Sequence, residues 1–321
     1  MLRLSTPGYY RFSQSTELHV SYGGSEANVA ISLAHFGMEA EHITRFPEND
    51  FGVAATQHLR KYGLAVDQIA YGPERMGVYF LENGAMQRPS RIVYDRFDSA
   101  FSKIKPGMLD WDKILKDADW FHWSGITPAI SQGAADSCLE AIRAARKHKV
   151  TVSGDINYRR NLWQYGKKVD QVMPALIDGT NYVLGGSTDI ENCTGIKEKS
   201  FEETCDKFMK KYPSVMKVAR TKRESVSSSH NRIYGVLYDG KQSYRSRTYE
   251  LTHIVDRVGA GDAFMAGWIY GSLKKLREEE AIEFATAASA LKHSVEEDVN
   301  LVSAGEVMAL VKEENIGKLL R

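Results

Sequence analysis

The chain has 321 residues, 43% of them hydrophobic and 26% charged, ordinary globular proportions with ample material for a large core. The formal net charge is +1 and no long basic run stands out, which points away from nucleic acid and anionic membrane surfaces. Cys138, Cys193 and Cys205 lack Cys-x-x-Cys spacing and the nine histidines are scattered, so neither a disulfide framework nor a zinc site is expected. No apolar run approaches a membrane span and no signal-peptide region opens the chain, so a cytoplasmic location is expected; the sequon at Asn192 is then a chance match.

Taken in chain order, the apolar pattern predicts helices over 25–36 and 50–62, each stopped by a glycine, Gly37 and Gly63. Strand-like segments at 77–82 and 90–95 flank a turn-rich stretch, and with 17–22 they suggest a small antiparallel sheet acting as a lid. A long helix over 131–149 begins on a capping Ser and ends in a basic turn, then runs into a buried strand at 150–153. Strands near 182–184 and 215–219, the latter after a helix over 201–211, continue an alternation that implies a parallel sheet with right-handed crossovers. Segments 232–238 and 242–249 flank Asp239-Gly240, a hairpin signal. A strand over 252–256 is expected to enter the glycine-rich turn, and helices over 259–273, 278–293 and 303–314 close the chain.

The strongest chemical signal is Asp256-Arg-Val-Gly259-Ala260-Gly261-Asp262. Glycines at the start of a helix let successive N–H groups point inward and form an anion hole, which phosphoryl transfer requires. Asp262 beside that hole is placed to take a proton from an attacking hydroxyl. A glycine-packed helix start explains Gly-x-Gly alone, but not the flanking aspartates. A dinucleotide fingerprint is disfavoured, since Asp262 would repel a pyrophosphate. The near P-loop at 235–242 straddles a hairpin and lacks the terminal Ser or Thr.

This segment resembles the signature of the ribokinase-like, phosphofructokinase B type, carbohydrate kinases. Gly23-Gly24-Ser-Glu-Ala-Asn28-Val-Ala30 is similar to the same family's Gly-Gly-x-x-x-Asn-x-Ala motif. The resemblance implies an α/β three-layer sandwich with a central, mostly parallel sheet and a small antiparallel β lid, spanning the chain as one kinase domain. It implies that Gly24 and Asn28 meet sugar hydroxyls. Within the family the chain looks most like the 2-keto-3-deoxygluconate kinases, on three stretches. Residues 91–100 resemble the lid strand whose Tyr94 and Arg96 meet a sugar acid; 155–163 resemble Asp-x-Asn-x-Arg…Leu-Trp, with Asn157 toward ATP and Arg159 toward the substrate; and 297–300 resemble Gly-Asp-x-Asn, with Glu297 replacing Gly and Asp298 toward the substrate. Tyr79 either covers the sugar or packs the lid.

Independently, a carboxylate favours the planar fork of Arg, so Arg96 and Arg159 point to a sugar acid, surface ion pairs being the competing reading. Residues 219–225 resemble the family's nucleotide loop, with Thr221 and Arg223 on ATP phosphates, and 287–290 offer small residues beside adenine. The implied cofactors are ATP and Mg2+. Relatives carry Asn-x-x-Glu where this chain has Gly185-Gly-Ser-Thr-Asp189, leaving Asp189 as the acidic group toward Mg2+, through water. The usual first core strand is expected to be missing ahead of Leu2–Ser5. Other sugars as substrates, or a catalytically weak binding protein, stand as alternatives. A homodimer or higher homo-oligomer through the lid is expected, since its strands otherwise expose an apolar face.

Overall fold

In the computed structural model, residues 1–314 are described. The chain opens with β1 (Leu2–Ser5) and β2 (His19–Tyr22), then α1 (Ser25–His35), β3 (Arg45–Pro47), α2 (Asp50–Lys61) and β4 (Ala70–Gly72). Next come β5 (Val78–Glu82), β6 (Arg91–Asp95), α3 (Trp111–Leu115), β7 (Trp120–Ser124), α4 (Ile126–Ile130) and α5 (Gln132–Lys147). They are followed by β8 (Thr151–Asp155), α6 (Val169–Ile177), β9 (Tyr182–Leu184), α7 (Ser187–Thr194), α8 (Phe201–Lys211) and β10 (Lys217–Ser225). The last third holds β11 (Asn231–Tyr238), β12 (Ser243–Arg245), β13 (Tyr249–Leu251), α9 (Ala260–Leu273), α10 (Glu278–Lys292) and α11 (Ala304–Val311).

Helix starts follow their capping chemistry: Asn49, Ser131, Ser200 and Ser303 each accept a backbone N–H of the first turn. Strands β7, β8, β9 and β10 run parallel, and β11 joins antiparallel with β12 and β13 against it. One face of this sheet packs on α5, α6 and α8 through residues such as Ile142, Met173 and Phe208. The other packs on α1, α9 and α10 through Val29, Trp268 and Phe284. This is the ribokinase-like three-layer sandwich. Helix α9 is apolar nearly all round because it lies beneath α1 and α10, and is covered on every side.

The lid is a separate four-stranded sheet ordered β2-β1-β5-β6, and it is mixed rather than all antiparallel as expected, because β1 joins it and runs parallel to β5. Its register sorts the side chains by face. Ser21, Arg3, Tyr79 and Tyr94 stand in one row across the strands, and Val20, Leu4, Phe80 and Val93 in the next. Arg3 and Tyr79 are buried toward the main sheet, whereas Val20 and Val93 are exposed. Strands β3 and β4 pair only with each other, and among the described residues no strand bonds the free edge of β7. A cavity of about 950 Å3 lies between these edges, lined by Thr44, Phe46, Trp120 and His122.

Two local expectations are corrected. No strand spans 252–256: β13 ends at Leu251, and Val255 N and Asp256 N both donate to the His293 carbonyl at the end of α10, which supplies what a partner strand would. Nor does 242–249 form one strand. Ser246 breaks it, because its hydroxyl takes the Gly235 N–H at 2.9 Å in place of a ladder carbonyl.

Glu297 has φ +66°, a left-handed conformation that costs a side-chain-bearing residue about 1 kcal/mol. Glu297→Gly should therefore raise stability by about 1 kcal/mol, shifting the melting temperature up by about 2 °C. A thermal melt that moved down would refute this account of the turn.

Candidate active site

The site lies at the carboxyl ends of the parallel strands, where α/β sheets place ligands. Two helix starts meet there. Asp262, in the first turn of α9, accepts from Ser25 Oγ at 2.8 Å and from Asn28 Nδ2 at 2.7 Å, both on α1. Each carboxylate oxygen is thus held by one donor from the facing helix. Burial raises the Asp262 carboxyl to about 6; the Asn28 and Ser25 bonds pull it down, while Asp298 and Glu26 push it further up. A carboxylate poised near neutrality and fixed in direction is what a general base needs.

Asn28 is buried, and its Oδ1 accepts the Gly24 N–H at 3.4 Å. It therefore orients Asp262 and closes the Gly23-Gly24 turn at once. Ser25 was not among the residues the sequence singled out. Its position directly after two glycines, at a helix start, was the available signal.

Gly259 has φ +82°, and a Cβ there would stand 1.9 Å from the Asp298 carbonyl oxygen, so only glycine fits. At Gly261 a Cβ would meet nothing within 4 Å: the turn opens onto free space there. The N–H groups of Gly261 and Asp262 stand at the start of a 14-residue helix, where no preceding turn supplies carbonyls. These are the amides to which the sequence reading assigns an anion hole, and Ala260 beside them is buried.

Behind the turn lies a buried charge network. Arg3 donates to Asp256 Oδ2 at 2.5 Å and to Asp298 Oδ1 at 2.8 Å. Burial opposes the charge on Arg3, but Asp256, Tyr79 and Asp298 outweigh it and hold the guanidinium above its ordinary range. Tyr79 also donates to Asp298 Oδ1, at 2.5 Å, and burial pushes its phenol well up. Tyr79 thus packs the lid against Asp298, one of the two readings the sequence leaves open, and Asp298 Oδ1 is taken up by Tyr79 and Arg3. Arg3 itself carries no motif, and the sequence offered no signal for it.

Asp155, at the end of β8, was quoted in a motif but assigned no role. Burial raises its carboxyl to about 8, and nearby Asp262 and Asp189 push the same way. Three carboxylates therefore share one neighbourhood. Asp189 also accepts the Gly186 N–H at 2.9 Å, capping α7. Asn157 adopts φ +39°, which Asn tolerates, with its N–H on Asp155 Oδ1 at 3.0 Å.

Arg96 is 4% exposed, its guanidinium stacks on the Tyr94 ring at 4.1 Å, and it forms no ion pair among the described residues. Burial lowers its affinity for a proton, offset by Tyr94 and reinforced by Arg159. Arg159 is exposed and likewise without a carboxylate partner among the described residues. Surface ion pairs, the competing reading for both, are not what the structure shows. On the opposite flank, Thr221 and Arg223 lie on exposed positions of β10. Arg223 Nη2 is 3.4 Å from His293 Nε2, and partial desolvation followed by repulsion from Arg257 holds its guanidinium below its ordinary range.

The pfkB family carbohydrate kinase model matches residues 9–302. A 2-dehydro-3-deoxygalactonokinase of Haloferax volcanii is 27% identical over 315 residues, covering 97% of this chain and 94% of its own. The 2-dehydro-3-deoxygluconokinase structure of Thermotoga maritima superposes with a TM-score of 0.93 at 41% identity, covering 97% and 95% of the two chains. A putative 2-keto-3-deoxygluconate kinase of Enterococcus faecalis gives 0.92 at 28% identity, covering 100% and 96%. With a glycine turn, a held carboxylate and a family match over most of its length, the chain belongs to the pfkB family of carbohydrate kinases.

Proposed function

We propose that the protein transfers the γ-phosphoryl group of MgATP to the 6-hydroxyl of 2-keto-3-deoxygluconate or a close stereoisomer. The observation that carries the substrate class is Arg96: a buried guanidinium without a carboxylate partner among the described residues, with Arg159 nearby. A buried charge left alone is costly. A substrate carboxylate would relieve that cost, and a neutral hexose would not. The sugar-acid kinases among the relatives support the same reading.

In this mechanism Asp262 takes the hydroxyl proton as the substrate oxygen bonds to the γ-phosphorus. The bond from that phosphorus to the β,γ-bridging oxygen breaks and ADP leaves. The Gly259–Asp262 amides hold the charge on the phosphoryl oxygens, and Thr221, Arg223 and Arg257 flank the triphosphate. Gly24 bounds the sugar side. Asp155 and Asp189 suit Mg2+, since both crowd a neighbourhood short of positive charge. Among the described residues no cage of three ligating side chains exists, so phosphate oxygens and water would complete the metal's shell, and Mg2+ would neutralise phosphate charge there.

Asp262→Asn should lower kcat by about 10^2 to 10^4 while ATP still binds. Because the base works deprotonated and its carboxyl sits at about 6, wild-type kcat/KM should fall as pH drops through about 6. Near-normal turnover by Asp262→Asn in a coupled ADP-release assay would sink the assignment.

Arg96→Met should raise KM for the sugar acid by about 10- to 100-fold, the loss of a charge-assisted hydrogen bond, with KM for ATP little changed. An unchanged sugar-acid KM, or better turnover of fructose or ribose than of any sugar acid, would favour a neutral substrate.

We also propose a homodimer through the lid. The row Val20, Leu4, Phe80, Val93 forms one apolar stripe across four strands, with Val20 59% and Val93 55% exposed. Val93→Glu should convert a dimer to a monomer in light scattering; a monomeric wild type would refute it.

A further inference from the structure

Lys292, in the last turn of α10, is fully buried. Its ammonium donates to the Val295 carbonyl at 2.9 Å and makes no ion pair among the described residues. An ammonium has three donors and is strongly hydrated, so such burial needs compensation. Burial draws it below its ordinary range; Asp256 and then Asp298 push it back up, Arg3 opposes them, and Asp262 adds to them.

The side chain reaches directly beneath the glycine turn. A Cβ added at Gly259 would stand 3.4 Å from Lys292 Cε. Four buried charges therefore gather behind the turn. Arg3 and Lys292 are positive, Asp256 and Asp298 negative, and Arg3 bridges both carboxylates. Their formal sum is zero. Without Lys292 one negative charge would stand uncompensated behind the amides that must receive a phosphoryl group, in an interior where charge is poorly screened.

We propose that Lys292 is a positioning residue for phosphoryl transfer, whose buried charge balances the second carboxylate behind the Gly259–Asp262 turn. The turn then presents its amides with no net negative charge at their back. This rests on the kinase reading above and adds a residue to it. A lysine that merely filled space would be replaceable by methionine, which is often no less stable in a well-packed interior.

The same charge bears on Asp262. The groups that face Asp262 are Ser25, Glu26 and Asn28 on α1, Asp298 on the late turn, Asp155 at the end of β8 and Lys292 on α10. Those that face Lys292 are Arg3, Asp256, Asp298 and Asp262, while Arg223 and Arg257 bear on the adjacent His293. Removing the positive member leaves Asp262 among carboxylates.

The test compares the full-length chain with Lys292→Met, Asp256→Asn and the double variant, using ATP and 2-keto-3-deoxygluconate. Asn at position 256 keeps the oxygen that accepts the Val258 N–H. Lys292→Met should lower kcat roughly 10- to 100-fold with little change in sugar KM, and move the acid limb of the pH profile upward. Asp256→Asn should move that limb downward. The double variant, neutral again, should return the limb to its wild-type position and recover most of the lost kcat. A folded Lys292→Met with wild-type kcat and limb would overturn the inference, as would a double variant no better than Lys292→Met. If Lys292→Met does not fold alone, the double variant decides: a wild-type limb supports charge balance and a shifted one refutes it. Should the wild type phosphorylate no sugar or sugar acid, the kinase reading fails. The charge balance is then read from the Asp262 carboxyl by carbon NMR titration, which must still move upward in Lys292→Met.

Discussion

Everything in the site hangs on the guanidinium of Arg3. It is 2% exposed, and it reaches Asp256 on one side and Asp298 on the other. Burying three charges is justified only when their geometry satisfies them, and breaking such a set by removing one partner costs about 3–5 kcal/mol. The network therefore has one arrangement, and that arrangement fixes three elements against one another. Arg3 and Tyr79 belong to the lid, Asp256 to the glycine turn, and Asp298 to the turn after α10. Gly23 and Gly259 press against Asp298 from two directions, where a Cβ would stand 1.9 Å from its side-chain and backbone oxygens respectively. One glycine of each motif, Gly23 and Gly259, is thus explained by a single aspartate.

From that anchor the chemistry follows. Fixing Gly259 fixes the start of α9, and with it the direction of Asp262. Fixing Gly23 fixes the start of α1, whose Ser25 and Asn28 take up the two oxygens of that carboxylate. Glu26, one residue on, accepts from Thr127 Oγ1 at 2.6 Å and from Ser124 N at 3.1 Å, tying α1 to the end of β7. Burial raises the Glu26 carboxyl, and the Thr127 bond and then backbone bonds lower it again. Asp262 is oriented through donors that are themselves held by the sheet, which is how a carboxylate is kept near neutrality without being free to turn.

The order of elements and the glycine turn were legible because both leave local marks. Helix starts at Ser131, Ser200 and Ser303 are written in capping residues, and Gly259 and Asp262 stand in a short motif. Long-range partners leave no such mark. Arg3 lies 295 residues from Asp298 and 253 from Asp256, so nothing near it in the chain announces its role. Lys292 reads locally as the basic end of a helix, a position normally explained by the helix dipole. Tyr79 is left between two readings for the same reason: strand alternation assigns a side chain to a face, but not to the carboxylate waiting there. The segment 252–256 carried β-branched residues, yet its partner turned out to be the carbonyl of His293 at the end of α10, a contact that periodicity cannot express.

The lid sheet shows how one register serves two purposes. Its side chains alternate, so Arg3, Tyr79 and Tyr94 share one face and Leu4, Phe80 and Val93 the other, with Arg3 and Tyr79 buried. A slip of one residue in β1 would carry Arg3 to solvent and strand Asp298 and Asp256 inside without the guanidinium that bridges them. The buried ion pair thus enforces the register more strictly than the apolar face does, since Leu4 and Phe80 are only half-buried. The lid cannot pair wrongly and still leave Asp256 and Asp298 bridged, so its register and the charge behind the glycine turn are set by the same contact.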